Sequence, residues 1–438
     1  MLARREFLRG AALAAAGLGI GQLVTGCGSG GSSTGSLAAA DEPRAPADPA
    51  ALSGAATAVA NFSADLYRRL ATGSPGNLIC SPYSAAVALS MARRGAVGRT
   101  ATEIDTVLHA PAGAVSSSEG SDGSLAAGLN TLALALAGRS GRRTAADGSK
   151  ATVSLDVANA LWGQRDERWE APFLTTLARY YGAGMRQVDF RSDSPGAVRA
   201  INTWTSKQTH GRIPTIVSGL DASTRLVLAN ALYLRAPWNT PFDDARPAPF
   251  TRLDGSVVQA GLMSVAAYDT GYTTGPGWQA VDVPYAGGEL AMAVILPEAG
   301  KFAEVRDSLD GRALRRLLTS LSRTSLTLEL PKWTTRTAVH LDEALKALGM
   351  PTAFGADADF GAMTATERLA IAAVPQQAYV AVDEKGTEAA AVTAVVMGVT
   401  AVAASPLTVT VDRPYVFVIH DRPTGTPLCL GHVADPTQ

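Results

Sequence analysis

Residues 383–411 carry the most informative pattern in the chain, DEKGTEAAAVTAVVMGVTAVAASPLTVTV. The charged residues end at Glu388, and the 23 residues of 389–411 carry no charge. That length could span a bilayer, but the run is mostly Ala, Val, Thr and Gly and contains Pro406, which argues against a membrane helix. An exposed, uncharged, β-prone segment is an aggregation hazard. We therefore expect this segment to serve a function that requires it.

The patterns around this stretch indicate an α+β fold. Apolar residues recur at helical spacing in residues 55–70, and Ser81 precedes Pro82 as a candidate N-cap of a second helix. The near-continuous apolar run at 289–296 indicates a buried strand, and residues 415–420 are strand-like. Because helices come early and strands dominate later, we predict helices packed on large, mostly antiparallel sheets.

The composition excludes several classes of protein. The 438 residues include 38 Lys and Arg against 39 Asp and Glu, a net charge of −1, whereas a nucleic-acid binder needs a basic face. Three cysteines are too few for a disulfide scaffold. Hydrophobic residues make up 47% of the chain, enough for a large core.

The first fifty residues resemble an export signal and a linker. Arg4 and Arg5 precede the apolar run 11–24, as in a twin-arginine signal, and residues 24–27 (VTGC) resemble a bacterial lipobox ending in Cys27. We predict a signal peptide over 1–26, acylation of Cys27 and a lipid anchor on the outer face of the cell membrane. Residues 27–51, rich in Gly, Ser, Ala and Pro, are predicted to be a flexible tether.

Tests for an enzyme find no catalytic constellation. The G-x-S-x-G match at 31–35 lies in the predicted tether, H-E-x-x-H is absent, and the five histidines have no metal-ligand spacing. We therefore expect no catalytic residue, metal or cofactor. Cys80 and Cys429 lie in apolar segments, and the sequence leaves open whether they are buried thiols or a disulfide.

Several segments resemble the serpin family of serine protease inhibitors. Residues 383–391 (DEKGTEAAA) resemble the hinge of a serpin reactive-centre loop. Further resemblances follow in order: NLICSPYSAAVALSMARRG (77–95), INTWTSKQTHGRIPTIV (201–217), LVLANALYLRAPWNTPF (226–242), residues 348–363 and RPYVFVIHDRPTGTPLCLGHVADP (413–436). The resemblance implies one serpin domain over 52–438, with helices packed on three large, mostly antiparallel or mixed sheets and an exposed reactive-centre loop at about 384–412.

The resemblance implies a suicide inhibitor that traps a serine protease in a covalent complex. The protease would cut the loop, and the loop would then enter the central sheet as a new strand. About 14 residues at roughly 3.3 Å each would carry the acylated protease about 45 Å. If Thr387 points inward, then Ala389, Ala391 and Thr393 do too, and all are small enough to enter. The resemblance assigns the hinge to Glu384, Gly386, Thr387, Glu388, Ala389, Ala390 and Ala391.

The spacing of the loop places the scissile bond only within a window. Counting from the hinge gives Thr400–Ala401, whereas counting back from Arg413-Pro414 gives a position nearer Ala403–Ala404. The side chains in the window are small and uncharged: Val399, Thr400, Ala401, Val402 and Ala403. We therefore expect an elastase-like or subtilisin-like protease as the partner.

The resemblance also assigns residues that keep the central sheet closed. Ser81, Ser84 and Asn230 correspond to the shutter, and Trp238 corresponds to the breach, where insertion begins. Gln376 stands where the family has a shutter histidine, so this residue cannot titrate. The expected protein is a monomeric inhibitor without affinity for nucleic acid. The alternative is a non-inhibitory serpin that acts as a binding or chaperone-like module.

Overall fold

The computed structural model describes residues 35–111, 122–387 and 407–438. The helices in these ranges are α1 (Pro49–Ala71), α2 (Pro82–Arg93), α3 (Gly98–Val107), α4 (Asp122–Ala137), α5 (Ala171–Tyr181), α6 (Ser194–Gln208), α7 (Phe302–Ser308), α8 (Gly311–Ser320) and α9 (Asp342–Leu348), with a 3₁₀ turn at Pro351–Phe354. None of the helices in the described ranges is both long and apolar enough to cross a membrane.

The strands lie mainly in the second half of the chain. They are β1 (Ser36–Ala38), β2 (Leu78–Cys80), β3 (Gly141–Thr144), β4 (Lys150–Gln164), β5 (Met185–Val188), β6 (Leu226–Pro237), β7 (Arg246–Thr251), β8 (Val257–Gly275), β9 (Trp278–Pro284), β10 (Leu290–Pro297), β11 (Ser322–Pro331), β12 (Trp333–His340), β13 (Ile371–Ala373), β14 (Pro375–Asp383), β15 (Gly386–Thr387), β16 (Thr408–Thr410), β17 (Tyr415–Asp421) and β18 (Thr426–Val433).

The first sheet, which we call the central sheet, has the strand order β1-β5-β4-β6-β15-β14-β12, with β13 on β6 and β3 on β4. Strand β6 lies in its middle, and residues 226–234 of this strand are all buried. Helices α2 and α6 both contact β6, and alternate residues of this strand belong to two different clusters of buried side chains, one with α2 and one with α6. This double covering explains why β6 is a near-continuous apolar run rather than an alternating one.

The second sheet has the strand order β16-β11-β8-β9-β10-β17-β18-β2, with β7 on β8. The 19-residue strand β8 pairs with β7 from Val257 and with β9 from Tyr272, so it joins two parts of the sheet. Two of the three sheets that the resemblance implies are therefore continuous along β8. The predicted α+β class, with helices on mostly antiparallel sheets, is confirmed.

The predicted flexible tether is wrong for residues 35–51. Ser36–Ala38 forms β1, which pairs with β5 at the edge of the central sheet, and α1 begins at Pro49 with Asp48 as its N-cap. The buried Asn130 side chain donates to the carbonyl oxygens of Ala45 and Pro46 at 2.9 and 3.2 Å. These residues offer little apolar area to bury, but backbone hydrogen bonds hold the segment in place.

The two described cysteines are free thiols in the core. Cys80 pairs with Leu430 across β2 and β18, and its Sγ lies 3.3 Å from the Leu430 carbonyl oxygen. Cys429 is the neighbour of Leu430, so its side chain points to the opposite face of the sheet. This register explains why the disulfide that the sequence left open does not form, and burial raises the pKa of both thiols.

Candidate functional site: the seam of the central sheet

The candidate site is the seam between β6 and β14, the two facing strands at the middle of the central sheet. These parallel strands pair directly at Gln376–Asn230 and Ala378–Leu232. Closer to their carboxyl ends they separate, because Thr387 of β15 pairs with Ala236 on one side and Val382 on the other. The seam is therefore closed near its middle and already holds the start of an additional strand at its end.

Gly386 is needed for this entry of β15 into the seam. A Cβ atom on Gly386 would lie 2.5 Å from the Cα of Pro237 and closer still to the carbonyl oxygen of Ala236. Real Cβ contacts are not that short, so any other residue would push β15 away from β6. The structure thus explains why the hinge has glycine at position 386, where any side chain would clash with β6.

Thr387 is fully buried and has a specific partner. Its Oγ1 lies 2.8 Å from the Tyr285 hydroxyl, and its exposed fraction is 0%. Burial raises the pKa of Tyr285, so the phenol stays protonated and can share a hydrogen bond with the threonine hydroxyl. The Thr387 side chain points inward, as the predicted alternation requires.

Trp238 organises the turn that leads into β15. Its indole ring stacks on the Tyr285 ring, with centroids 4.6 Å apart and planes 10° apart. Its Nε1 donates to the Asp383 carbonyl oxygen at 2.9 Å. Its backbone N–H donates to the Lys385 carbonyl oxygen, also at 2.9 Å. The predicted breach residue therefore binds the backbone on both sides of Glu384.

Glu384 is held by the neighbouring part of the second sheet. Its Oε1 accepts hydrogen bonds from Lys332 Nζ and from the Ala245 backbone N–H, each at 3.2 Å. Partial burial opposes ionisation, but the backbone hydrogen bonds and Lys332 outweigh it and hold the pKa of Glu384 below its usual range. The backbone N–H of Phe242 also donates to the Glu384 carbonyl oxygen at 2.9 Å. The hinge is thus fixed through both its side chain and its backbone.

The four predicted shutter residues lie together below β15. The Gln376 amide donates to Asn230 Oδ1 at 2.6 Å and to the Ser81 carbonyl oxygen at 2.9 Å, and it accepts from the Ser81 N–H at 2.9 Å. Ser81 Oγ donates to the Leu428 carbonyl oxygen at 3.0 Å, and Ser84 Oγ, which lies 3.1 Å away, can donate to Ser81 Oγ. Gln376 therefore connects β6, β14 and the start of α2 through three hydrogen bonds.

Ser81 does not cap α2 with its side chain, although it occupies the N-cap position. Its hydroxyl serves the shutter instead. Asn230 is also unusual, because its Nδ2 is buried and has no hydrogen-bond partner among the described residues. A buried donor without an acceptor costs about 1–3 kcal/mol, so the closed shutter leaves free energy to be recovered.

The remaining site predictions lie outside the described residues. These are the hinge residues Glu388, Ala389, Ala390 and Ala391, the reactive window Val399, Thr400, Ala401, Val402 and Ala403, and the acylation residue Cys27. Within the ranges that the structure does describe, no group of three or more His, Cys, Asp or Glu side chains could hold a metal ion.

Tyr285 and Lys332 were missed by the sequence analysis. Tyr285 contacts Thr387 across 102 positions of the chain, and Lys332 contacts Glu384 across 52 positions. Neither residue belongs to a local motif, so only the pairing of distant strands identifies them.

Comparisons with known proteins agree with this geometry. The family model described as Serpin (serine protease inhibitor) matches residues 57–436. A serpin-like protein of Thermococcus kodakarensis is 34% identical over 86% of this chain and 85% of its own length. Leukocyte elastase inhibitor A of Rattus norvegicus is 29% identical over 86% of this chain and 97% of its own. The crystal structure of the thermophilic serpin tengpin in the native state matches with a TM-score of 0.77 and 25% identity, covering 92% of this chain and all of that one.

Proposed function

The chain belongs to the serpin family, and we propose that it inhibits a serine protease as a suicide substrate. One observation carries this proposal: β15 already lies between β6 and β14, so the start of the loop occupies the place where a new strand would form. Inhibitory relatives such as leukocyte elastase inhibitor support the same class of activity.

The covalent step follows the usual acyl-enzyme chemistry. The protease serine oxygen would attack the carbonyl carbon of Thr400, and the bond to Ala401 would break, with Ala401 leaving as a protonated amine. The Thr400 acyl group would remain as an ester on the protease. Hydrolysis of that ester needs an aligned base and an oxyanion hole, and distortion of the protease by the inserting strand would remove them.

The register of β15 gives the path of insertion. Thr387 pairs with Ala236 and Val382, so an antiparallel strand that continued in register would place residue 393 between Asn230 and Gln376. This position is six residues further along, about 20 Å from Thr387. The direct pairing of β6 with β14 must open there before the strand can pass.

Thr393 is suited to that position. Its side chain would point inward, as Thr387 does, because the two residues are six apart and side chains alternate along a strand. A threonine hydroxyl can accept a hydrogen bond, and the Asn230 Nδ2 lacks an acceptor in the closed sheet. We propose that Thr393 replaces part of the Gln376–Asn230 interaction when the strand inserts.

The target class follows from the loop composition. The reactive window offers only small, uncharged side chains, which suit a small or apolar specificity pocket. We propose an elastase-like or subtilisin-like protease as the target, and Thr400–Ala401 as the scissile bond.

Incubation with one elastase-type and one subtilisin-type protease tests the proposal. We expect a band near the summed masses on a denaturing gel, and the mass of the released carboxyl-terminal peptide identifies the scissile bond. Thr387→Arg should abolish the covalent band while cleavage continues, whereas Thr387→Ser, which keeps a small hydroxyl side chain, should retain it. Cleavage without a band, and without a rise in thermal stability, would favour the non-inhibitory alternative.

We also propose that the protein is exported and anchored through a lipid on Cys27. The support is the twin-arginine pair, the apolar run and the lipobox-like VTGC at residues 24–27. Metabolic labelling with a fatty acid should mark the wild type and not Cys27→Ser. Equal labelling of both proteins would contradict the assignment.

A further inference from the structure

A cavity of about 330 Å³ lies against β4 of the central sheet, the strand next to β6, and outside the seam between β6 and β14. Strand β4, helices α2, α4 and α5, and the segment before α1 surround it. Its lining is about equally polar and apolar, and the apolar part includes Val87, Met91, Leu129, Leu136, Leu155 and Val157. A cavity of this size with an apolar stretch beside polar groups suits a small amphipathic ligand.

Arg44 supplies a positive charge at this cavity. Its Nε donates to Asn130 Oδ1 at 2.8 Å, and Asn130 is buried and held in turn by the carbonyl oxygens of Ala45 and Pro46. No carboxylate of the described residues forms an ion pair with Arg44. The guanidinium is thus oriented by a neutral amide, and its terminal N–H groups can serve an anion.

Tyr83 supplies a second donor. Its side chain lines the cavity and is 1% exposed, yet its hydroxyl has no hydrogen-bond partner among the residues that the structure describes. Burial raises the pKa of Tyr83, and the nearby Arg44 charge opposes that rise only in part, so the phenol stays protonated. The hydroxyl oxygen is not among the fully buried polar atoms that lack a partner, so we take it to be accessible from the cavity, where an acceptor on a ligand could bind it.

We propose that this cavity binds a small carboxylic acid with an apolar tail. The carboxylate would accept hydrogen bonds from Arg44 and Tyr83, and the tail would lie along the apolar walls. The volume corresponds to about eleven water-sized volumes, which suits a ligand of about ten non-hydrogen atoms, such as octanoate. Asp156 also lines the cavity, but its Oδ2 pairs with His210 Nε2 at 3.1 Å, so the anion is directed to the Arg44 end.

The Arg44 side chain packs against Gly182. A Cβ atom on this residue would lie 3.5 Å from Arg44 Cδ, in contact with the side chain that reaches across it. Gly182 ends α5 with a φ of +58°, a conformation that favours glycine. The carboxyl end of α5 and the segment before α1 therefore form the charged rim together.

Calorimetric titration of the full chain with octanoate tests the inference, with octanol and octylamine as neutral and cationic probes of equal length. We expect one saturable octanoate site per chain and much weaker binding of the other two probes. Arg44→Gln should weaken octanoate binding at least tenfold and leave octanol unchanged, because it removes the charge at the rim. Arg312→Gln, an exposed arginine on α8, is the matched control and should bind octanoate like the wild type.

Two further variants examine the buried part of the cavity. Tyr83→Phe should weaken octanoate binding several-fold, and Ala133→Met should block it by filling the space. Octanol binding as tightly as octanoate, full octanoate affinity in Arg44→Gln, or no saturable binding would overturn the inference. Because Arg44 is on the surface, its variant remains informative even if a cavity variant fails to fold.

Discussion

Replacing Gln376 should show how strongly the shutter holds the central sheet closed. Gln376→Leu keeps a similar volume but removes the three hydrogen bonds to Ser81 and Asn230. The Ser81 N–H, the Ser81 carbonyl and Asn230 Oδ1 would each lose a partner at a buried position. At about 1–3 kcal/mol per lost partner, and allowing for other hydrogen bonds that these groups can form, the expected loss is about 4 kcal/mol. That is a large part of a typical free energy of unfolding.

Gln376→His is the matched control, because a neutral imidazole keeps one acceptor for the Ser81 N–H and one donor for Asn230. We expect a loss of only about 1 kcal/mol at pH 8, for the one missing donor. Protonation would turn the acceptor into a second donor facing the Ser81 N–H, so the folded pKa of this histidine should lie below its unfolded value. Stability should therefore fall as the pH drops below about 6.5, a dependence that Gln376 cannot contribute.

Urea unfolding of the wild type and both variants between pH 5 and pH 8 measures these quantities. The difference between each variant and the wild type isolates the contribution of position 376. A loss below 1 kcal/mol in Gln376→Leu, or the same pH dependence in Gln376→His as in the wild type, would refute the reasoning.

Three more outcomes follow from the site and its surroundings. Thr387→Val should lower the free energy of unfolding by about 1–2 kcal/mol, because it leaves the Tyr285 hydroxyl unpaired. A double-mutant cycle with Tyr285→Phe, measured by urea unfolding, should show that the two losses are coupled, and additive losses would contradict the hydrogen bond. Lys332→Met should raise the pKa of Glu384, followed by NMR titration, whereas an unchanged pKa would assign the depression to the backbone alone. Burial lowers the pKa of His432 to about 4, so the free energy of unfolding should fall by about 3 kcal/mol as the pH falls from 6.5 to 4. His432→Phe should lack this pH dependence.

The sequence allowed the fold class to be predicted, because the apolar runs of strands such as β6 and β10 survive in the structure as buried strands. The meeting of Ser81, Asn230 and Gln376 came from the family resemblance and not from any local pattern. Its residues lie up to 295 positions apart, and hydrogen bonds over such separations leave no periodic signal. Tyr285 had no motif to identify it for the same reason.

The predicted tether failed for a different physical cause. Its small and polar residues offer almost no apolar area, and the prediction rested on that area. The structure instead uses the segment's backbone, in β1 against β5 and in hydrogen bonds to Asn130. Whether such an edge strand forms depends on a neighbouring strand with free backbone groups, and the amino-acid composition of the segment carries no information about that neighbour.

The geometry of the seam explains how a closed sheet can remain ready to open. β15 separates β6 from β14 at one point, and Gln376 joins them about 20 Å away, so an entering strand needs to disrupt only the direct pairs around the shutter. The unpartnered Asn230 Nδ2 lies at that point, where the closed state is incompletely satisfied. An inserting strand would form backbone hydrogen bonds with both β6 and β14. If it also brought an acceptor to Asn230 Nδ2, it would lower the free energy at the position where opening the sheet costs most.

Thr393→Val should therefore slow insertion. The fraction of loops cleaved without trapping should rise by about fivefold, as expected for the loss of a hydrogen bond of about 1 kcal/mol. An unchanged stoichiometry of inhibition would show that Asn230 finds its acceptor elsewhere.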